Sequence, residues 1–322
     1  MFEIVEINDK IIRKVMTSAI SDYVDIIDKN NSKNHCVLIK KYAHTCAENI
    51  KNFKVYDDDI WVVTFPKSGT TWTQEMVWLI NNNLDYEKAL NTDLQTRFPF
   101  IELEGIIELP GFHTIKNCEK LQRPRHIKSH LPPFLLPNQL WTIKPKIIYT
   151  CRNPKDVAVS YYHHYRHLQG YTGTREDFFN AFLEDKVLHS PMNENVLEFW
   201  KLSKENKNVL FLFYEDMKRN LELEIRKVAR FLRKKYNQDQ IDKLFEHLSF
   251  ESMKKNPMCN FEENVNFIKK IYKHVTINEN FQFIREGEIG SYKKEMNEEE
   301  IRKFDEYMDY FEFKEHGFEY KS

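Results

Sequence analysis

No stretch of this chain approaches the roughly 20 consecutive apolar residues needed to cross a bilayer, which excludes a spanning helix. Charge of one sign is missing too. The 48 Lys and Arg face 49 Asp and Glu, and without a basic field there is no electrostatic footprint for nucleic acid. The five cysteines, at 36, 46, 118, 151 and 259, show no paired spacing and leave one over, which speaks against a disulfide framework and suits reduced thiols. Gly/Ser linkers, low-complexity tracts and internal repeats are absent, so nothing marks a domain boundary. The N-terminus carries Glu3, Glu6 and Asp9 where a secretory signal would have a basic start and an apolar stretch. These absences lead us to expect a soluble, cytoplasmic protein with one domain over residues 1–322 and a small-molecule partner.

What is present alternates. Short apolar strand candidates at Ile60 to Phe65, His126 to Lys128, Lys146 to Cys151 and Val209 to Tyr214 are interleaved with helical patterns. Helices are expected over Thr70 to Ile80, from Asp156 to about His167, and where Leu221, Ile225, Val228, Ala229 and Leu232 form one apolar face. Ile301, Phe304, Met308 and Phe311 repeat that spacing and read as core. Such alternation predicts an α/β fold, a central and mainly parallel sheet flanked by helices.

The most informative run is Ile60 to Trp72, in which an apolar strand empties into the polar loop Pro66-Lys67-Ser68-Gly69-Thr70-Thr71 and opens a helix. A helix entered this way points unpaired backbone N–H groups, and the positive end of its dipole, at whatever sits above Gly69. A phosphate-like oxyanion fits there. The loop has a single glycine, and its lysine precedes that glycine, so it is not a Walker A sequence. Taken alone, the pattern also fits an ordinary capped helix start.

Other polar residues collect where the remaining strands end, and in open sheets ligands sit beyond the carboxyl ends of strands. Arg152-Asn153-Pro154 follows one strand, and Ser160 lies two turns into the next helix. An arginine fork and a hydroxyl there suit a second phosphate. Tyr214-Glu215 ends another strand, and Arg285-Glu286-Gly287-Glu288-Ile289-Gly290 supplies a further cation beside two glycines. His163, His164 and His167 invite a metal reading, but no acidic or thiol partner lies at ligand spacing, so no metal is expected. The runs Lys293-Lys294 and Glu298-Glu299-Glu300 read as solvated faces.

Three long motifs together resemble the cytosolic sulfotransferases: Phe65-Pro66-Lys67-Ser68-Gly69-Thr70-Thr71-Trp72, Lys128-Ser129-His130-Leu131-Pro132, and Arg152-Asn153-Pro154-Lys155-Asp156-Val157-Ala158-Val159-Ser160-Tyr161-Tyr162. Their order matches as well, as do Arg97 to Glu102, Tyr214 to Met217 and Ser249 to Met258, so that the likeness spans roughly residues 40–310. The resemblance implies an enzyme that moves the sulfuryl group of 3'-phosphoadenosine 5'-phosphosulfate, PAPS, to a hydroxyl or amine of a small hydrophobic acceptor such as a phenol or steroid-like alcohol. It implies that Lys67, Ser68, Gly69, Thr70 and Thr71 hold the 5'-phosphosulfate. Arg152, Ser160, Arg285 and Gly287 would hold the 3'-phosphate, with Trp72, Tyr214, Ser249 and Met253 around adenine. His130 is then the general base, Lys67 and Lys128 steady the transferring group, and Phe100 stands at the acceptor mouth.

Some positions depart from the family. Glu286 replaces a lysine, which sets a negative charge near the 3'-phosphate, and Leu248 replaces a threonine near adenine. Ser291-Tyr292 replaces Asp-Trp, and Asn297, Glu298 and Arg302 stand where the dimer signature has Thr, Val and Glu. Dimerisation through that motif is therefore not expected. The stretch Asn256 to Ile284, with Phe261, Phe267, Ile271 and Phe281, reads either as a specificity loop or as a surface helix. Alternative functions are a catalytically weak binder of nucleotide or hydrophobic ligand, a phosphotransferase with an unusual loop, and sulfonation followed by dehydration of an allylic alcohol.

Overall fold

The computed structural model describes residues 2–7, 22–107, 112–271 and 281–322, without the side chains of Lys269 and Ile271. Asp9, residues 272–280 and the Ile271 side chain, which enter the expectations above, lie outside the described residues.

Four strands, β4 (Ile60–Val63), β5 (His126–Ser129), β6 (Lys146–Cys151) and β7 (Val209–Phe213), form a sheet of order β5-β4-β6-β7. Every pairing in it is parallel. All four residues of β4 are buried, as befits a parallel strand covered on both faces and rich in β-branched side chains. Alternation sorts the side chains into two cores. Trp61, Val63, Ile147, Tyr149 and Phe211 join one cluster, whereas Ile60, Val62, Ile148 and Leu212 join the other.

Helices Thr70–Asn81, Pro154–Leu168 and Leu221–Phe231 cover this sheet close to the expected boundaries. Asn153 caps the second of these by accepting from Lys155 N, and Pro154 occupies the first turn, where a missing N–H costs nothing. The strand order seats β4 in the interior, so the ends of β4, β5, β6 and β7 deliver Thr64, His130, Arg152 and Tyr214 to one edge.

A second sheet was not anticipated. Strands β1 (Phe2–Glu6), β2 (Tyr23–Asp28) and β3 (Asn31–Ile39) pair antiparallel. Their polar positions interrupt the apolar pattern, yet Tyr23, Val24, Ile26 and Cys36 to Ile39 are buried in the same cluster as Trp61. Two C-terminal expectations need correction. Phe311 is 69% exposed, because helix Glu298–Met308 ends before it. Glu300 is buried rather than solvated; it completes a capping box with Asn297 and accepts from Arg175. Among the described residues no helix is long and apolar enough to cross a membrane.

Candidate active site

A cavity of about 380 Å³ opens at the carboxyl edge of the parallel sheet. Of the residues expected from sequence, Lys67, Gly69, Thr70, Thr71, Trp72, Phe100, Lys128, His130, Arg152, Ser160, Tyr214, Met253, Arg285 and Gly287 all line it. Ser68 and Ser249 do not. Ser68 is fully buried beneath the loop, its Oγ without a partner. Ser249 caps helix Phe250–Lys255 by accepting from Ser252 N, and its neighbours Leu248 and Phe250 face the cavity in its place.

The loop takes its shape from two residues in the left-handed region, Lys67 at φ 67° and Gly69 at φ 99°. A Cβ on Gly69 would stand 2.7 Å from the Tyr214 ring, so only glycine brings the backbone this close. The helix that starts at Thr70 leaves its first-turn N–H groups without intrahelical acceptors. Gly69, Thr70, Thr71 and Trp72 present that turn to the cavity. Trp72 is fixed by donating its indole N–H to Leu248 O at 2.9 Å and by edge contact with Tyr214 at 5.6 Å. The Arg152 guanidinium lies 4.3 Å over the other partner of that pair, Tyr214. It donates to Lys67 O and Glu288 O while its Nε, though buried, has no partner.

The segment carrying Arg285 and Gly287 is held by a residue that sequence reasoning treated only as a helix opener. Asp156 accepts from Gly290 N, Ser291 Oγ and Tyr292 N. No local pattern signals that role, since the three donors come from far along the chain. Arg285 itself donates to Glu286 at 3.0 Å and to Glu295 at 2.8 Å, so its charge is shared with two carboxylates. Glu295 also meets His163 at 2.8 Å, an acidic partner that sequence spacing did not disclose. Among the described residues no group of three or more His, Cys, Asp or Glu could hold a metal ion.

Cations converge on Lys67. Burial, then Lys128, Arg152 and Arg285, lower its pKa to about 7, and burial lowers Lys128 to about 8 despite Glu102. Positive groups gathered in one cavity favour an anion between them. The open helix turn, whose residues Gly69 to Trp72 line the cavity, supplies the donors that one would use. In the present structure the Lys67 ammonium rests 4.1 Å over the Phe283 ring.

His130 lies beside this cluster. Its Nδ1 is 2.8 Å from Thr64 O and its ring is 5.0 Å, edge-on, from Phe100. Its backbone N donates to Glu102 Oε1, which also accepts from Ser129 Oγ. Burial followed by Lys128 holds the imidazole well below its usual pKa, while burial raises Glu102 to about 7. Around and beyond His130 the wall is mostly apolar, with Leu103, Ile106, Phe261, Val265 and Phe267. Helix Glu262–Ile271 contributes the last two. His164, weighed above only as part of a metal triplet, and His189, which its local sequence does not single out, also reach this part of the cavity.

A model of the sulfotransferase domain matches residues 57–317. Luciferin sulfotransferase of Photinus pyralis is 43% identical over 275 residues, 81% of this chain and 73% of that protein. Sulfotransferase 1E1 of Mus musculus is 34% identical over 273 residues, covering 84% and 89%. Among solved structures, retinol dehydratase in complex with androsterone and the inactive cofactor PAP aligns with a TM-score of 0.83 at 29% identity, over 96% of this chain and 95% of that one. With the domain model matching residues 57–317 and a relative 43% identical over 81% of the chain, the chain belongs to the sulfotransferase family and is an enzyme of sulfuryl transfer.

Proposed function

We propose that this protein transfers the sulfuryl group of PAPS to a hydroxyl of a small hydrophobic acceptor. The observation that carries the reading is that Lys67, Lys128, Arg152 and Arg285 line one cavity together with an open helix N-terminus. PAPS would carry its activated sulfuryl group at the end of the 5'-phosphate, with the 3'-phosphate of the same ribose as a second anion. Lys67, Ser68, Gly69, Thr70 and Thr71 would hold the 5' end, and Arg152, Ser160, Arg285 and Gly287 the 3'-phosphate. Trp72, Tyr214 and Met253 would flank the base. That the solved relative binds PAP supports this choice.

In the proposed chemistry His130 Nε2 takes the acceptor's proton as its oxygen attacks in line. Lys67 stabilises or protonates the leaving oxygen, and Lys128 steadies the sulfuryl oxygens. Phe100 packs against both His130 and Lys128 and would set the acceptor's ring beside them. No step calls for a metal, since lysines can neutralise the charge that a divalent ion would otherwise meet.

Incubation with sulfur-labelled PAPS and a panel of phenols, sterols and retinoid alcohols tests the reading. Label should appear in an acceptor; PAP binding without any transfer would reduce the protein to a binder. A second reading is favoured by the likeness to retinol dehydratase solved with retinol and PAP, at a TM-score of 0.81. Sulfonation of an allylic alcohol followed by elimination would give a product lighter than its substrate by one water, which mass spectrometry distinguishes.

A further inference from the structure

One cation of the cavity has no part in the proposed transfer. Lys218 lines the same cavity as Tyr214 and Trp72. Its helix, Tyr214–Arg219, opens where β7 ends, and residues four apart on a helix share a face, so Tyr214 and Lys218 turn to the cavity together. The side chain is half-buried. Its ammonium stands 5.9 Å from the centroid of the Trp72 ring, the outer limit of a cation–π contact, so that contact contributes little. Glu288 attracts Lys218 by charge, without a hydrogen bond, and is itself paired with Lys294 at 2.7 Å. Burial lowers the pKa of Lys218, Glu288 opposes that shift, and Arg152 adds to it. A half-buried ammonium whose acidic neighbour is already engaged favours an anion beside it.

Charge assigns Lys218 to one end of the cavity. The cations that act on Lys67 are Lys128, Arg152 and Arg285, whereas the cation that acts on Lys218 is Arg152. Lys218 therefore belongs with Arg152 and away from the two lysines proposed to handle the sulfuryl group. Arg152 donates to Glu288 O and lies over Tyr214, which brings its guanidinium, Glu288 and the Tyr214–Lys218 face to one corner. The arginines there are occupied. Arg285 donates to Glu286 and Glu295, and Arg152 gives Nη1 to Lys67 O and Nη2 to Glu288 O. A lysine carries three donors on a flexible stem, so Lys218 can swing to a phosphate that arrives at this corner.

We propose that Lys218 is a further cofactor-binding residue, which meets the 3'-phosphate and strengthens the preference for a 3'-phosphorylated nucleotide. The inference rests on the PAPS reading and adds to that site a residue that the sequence did not mark, since the matching stretch Tyr214 to Met217 stops one position short of it. A lysine meets phosphate as a point charge, so its contribution should follow charge rather than shape.

PAP and AMP, which differ by the 3'-phosphate alone, test the inference on the wild-type protein and its Lys218 variants, with calorimetry for PAP and displacement of PAP for AMP. Lys218→Gln should weaken PAP binding by about three- to tenfold at low ionic strength and AMP binding by less than about twofold. The loss for PAP should shrink at 0.5 M salt. Lys218→Arg keeps the charge and should stay within about twofold of the wild type for PAP, whereas Lys218→Glu should bind PAP more weakly than Lys218→Gln. Unchanged PAP affinity in Lys218→Gln overturns the inference alone. An equal loss for PAP and AMP does the same, because it would put the lysine at the base or in the fold rather than at the 3'-phosphate. A wild-type protein that binds neither nucleotide overturns the PAPS reading beneath it.

Discussion

The backbone carbonyl of Thr64 is hydrogen-bonded to Nδ1 of His130 at 2.8 Å. A carbonyl oxygen only accepts, so the ring proton belongs on Nδ1 and the lone pair on Nε2. The residue that follows β4 into the loop proposed to hold the anion thus also sets the tautomer of the proposed base at the end of β5. Burial and Lys128 keep that imidazole unprotonated near neutral pH, as a general base must be.

His130→Ala should therefore lower turnover by about 10²- to 10⁴-fold while PAP affinity, measured by calorimetry, stays close to wild type. Near-normal turnover in this variant would remove His130 from the chemistry.

Lys67, at about 7, and Lys128, at about 8, are partly deprotonated at neutral pH in the free protein. An anionic nucleotide set among them raises both pKa values, so binding takes up protons wherever the free groups lack them. The sign follows. Below pH 7 both lysines are largely charged already and affinity is near its maximum. As pH rises through 7 and 8, PAP affinity should fall, by up to about tenfold per pH unit for each proton taken up. Calorimetry at pH 7.5 in two buffers of different ionisation enthalpy should show net proton uptake. Affinity independent of pH from 7 to 9 would contradict the lysine cluster.

Legibility in the sequence followed the range of the interactions. Strand β6 and the start of the helix at Thr70 were readable because apolar runs and loop chemistry are local, and these elements carry most of the nucleotide contacts proposed here. Glu102 and Asp156 were not, because each gains its role from donors supplied by distant segments. The same holds for His189, whose place beside His130 depends on the backbone link to Val37 in β3, a strand that its polar first half concealed.

Gly69 shows how little tolerance the loop has. Alanine there must adopt φ 99° and place its Cβ 2.7 Å from a Tyr214 ring carbon. That ring is itself fixed between Trp72 and Arg152, so it has little freedom to withdraw. Gly69→Ala should cost on the order of 1–3 kcal/mol of stability and weaken PAP binding at least about tenfold by displacing the first helical turn. Thermal unfolding with and without PAP measures both effects. An unchanged melting temperature together with full ligand-induced stabilisation would show that the loop yields at no cost.

Arg285 poses a sharper question, because the side chain proposed to grip the 3'-phosphate already donates to Glu286 and Glu295. A phosphate arriving there competes with both carboxylates for one guanidinium. Glu286 is about a third exposed, so its hold on Arg285 is screened and modest, about 0.2–1 kcal/mol. Glu286→Gln keeps the shape and removes the charge, and should tighten PAP binding by about two- to fivefold at low ionic strength. The gain should shrink as salt rises to 0.5 M. Arg285→Ala should weaken binding instead, by at least about tenfold. Weaker PAP binding in Glu286→Gln would mean that this carboxylate aims the arginine rather than competing for it. The exchange of lysine for glutamate at this position would then serve the cofactor site by orientation rather than by charge.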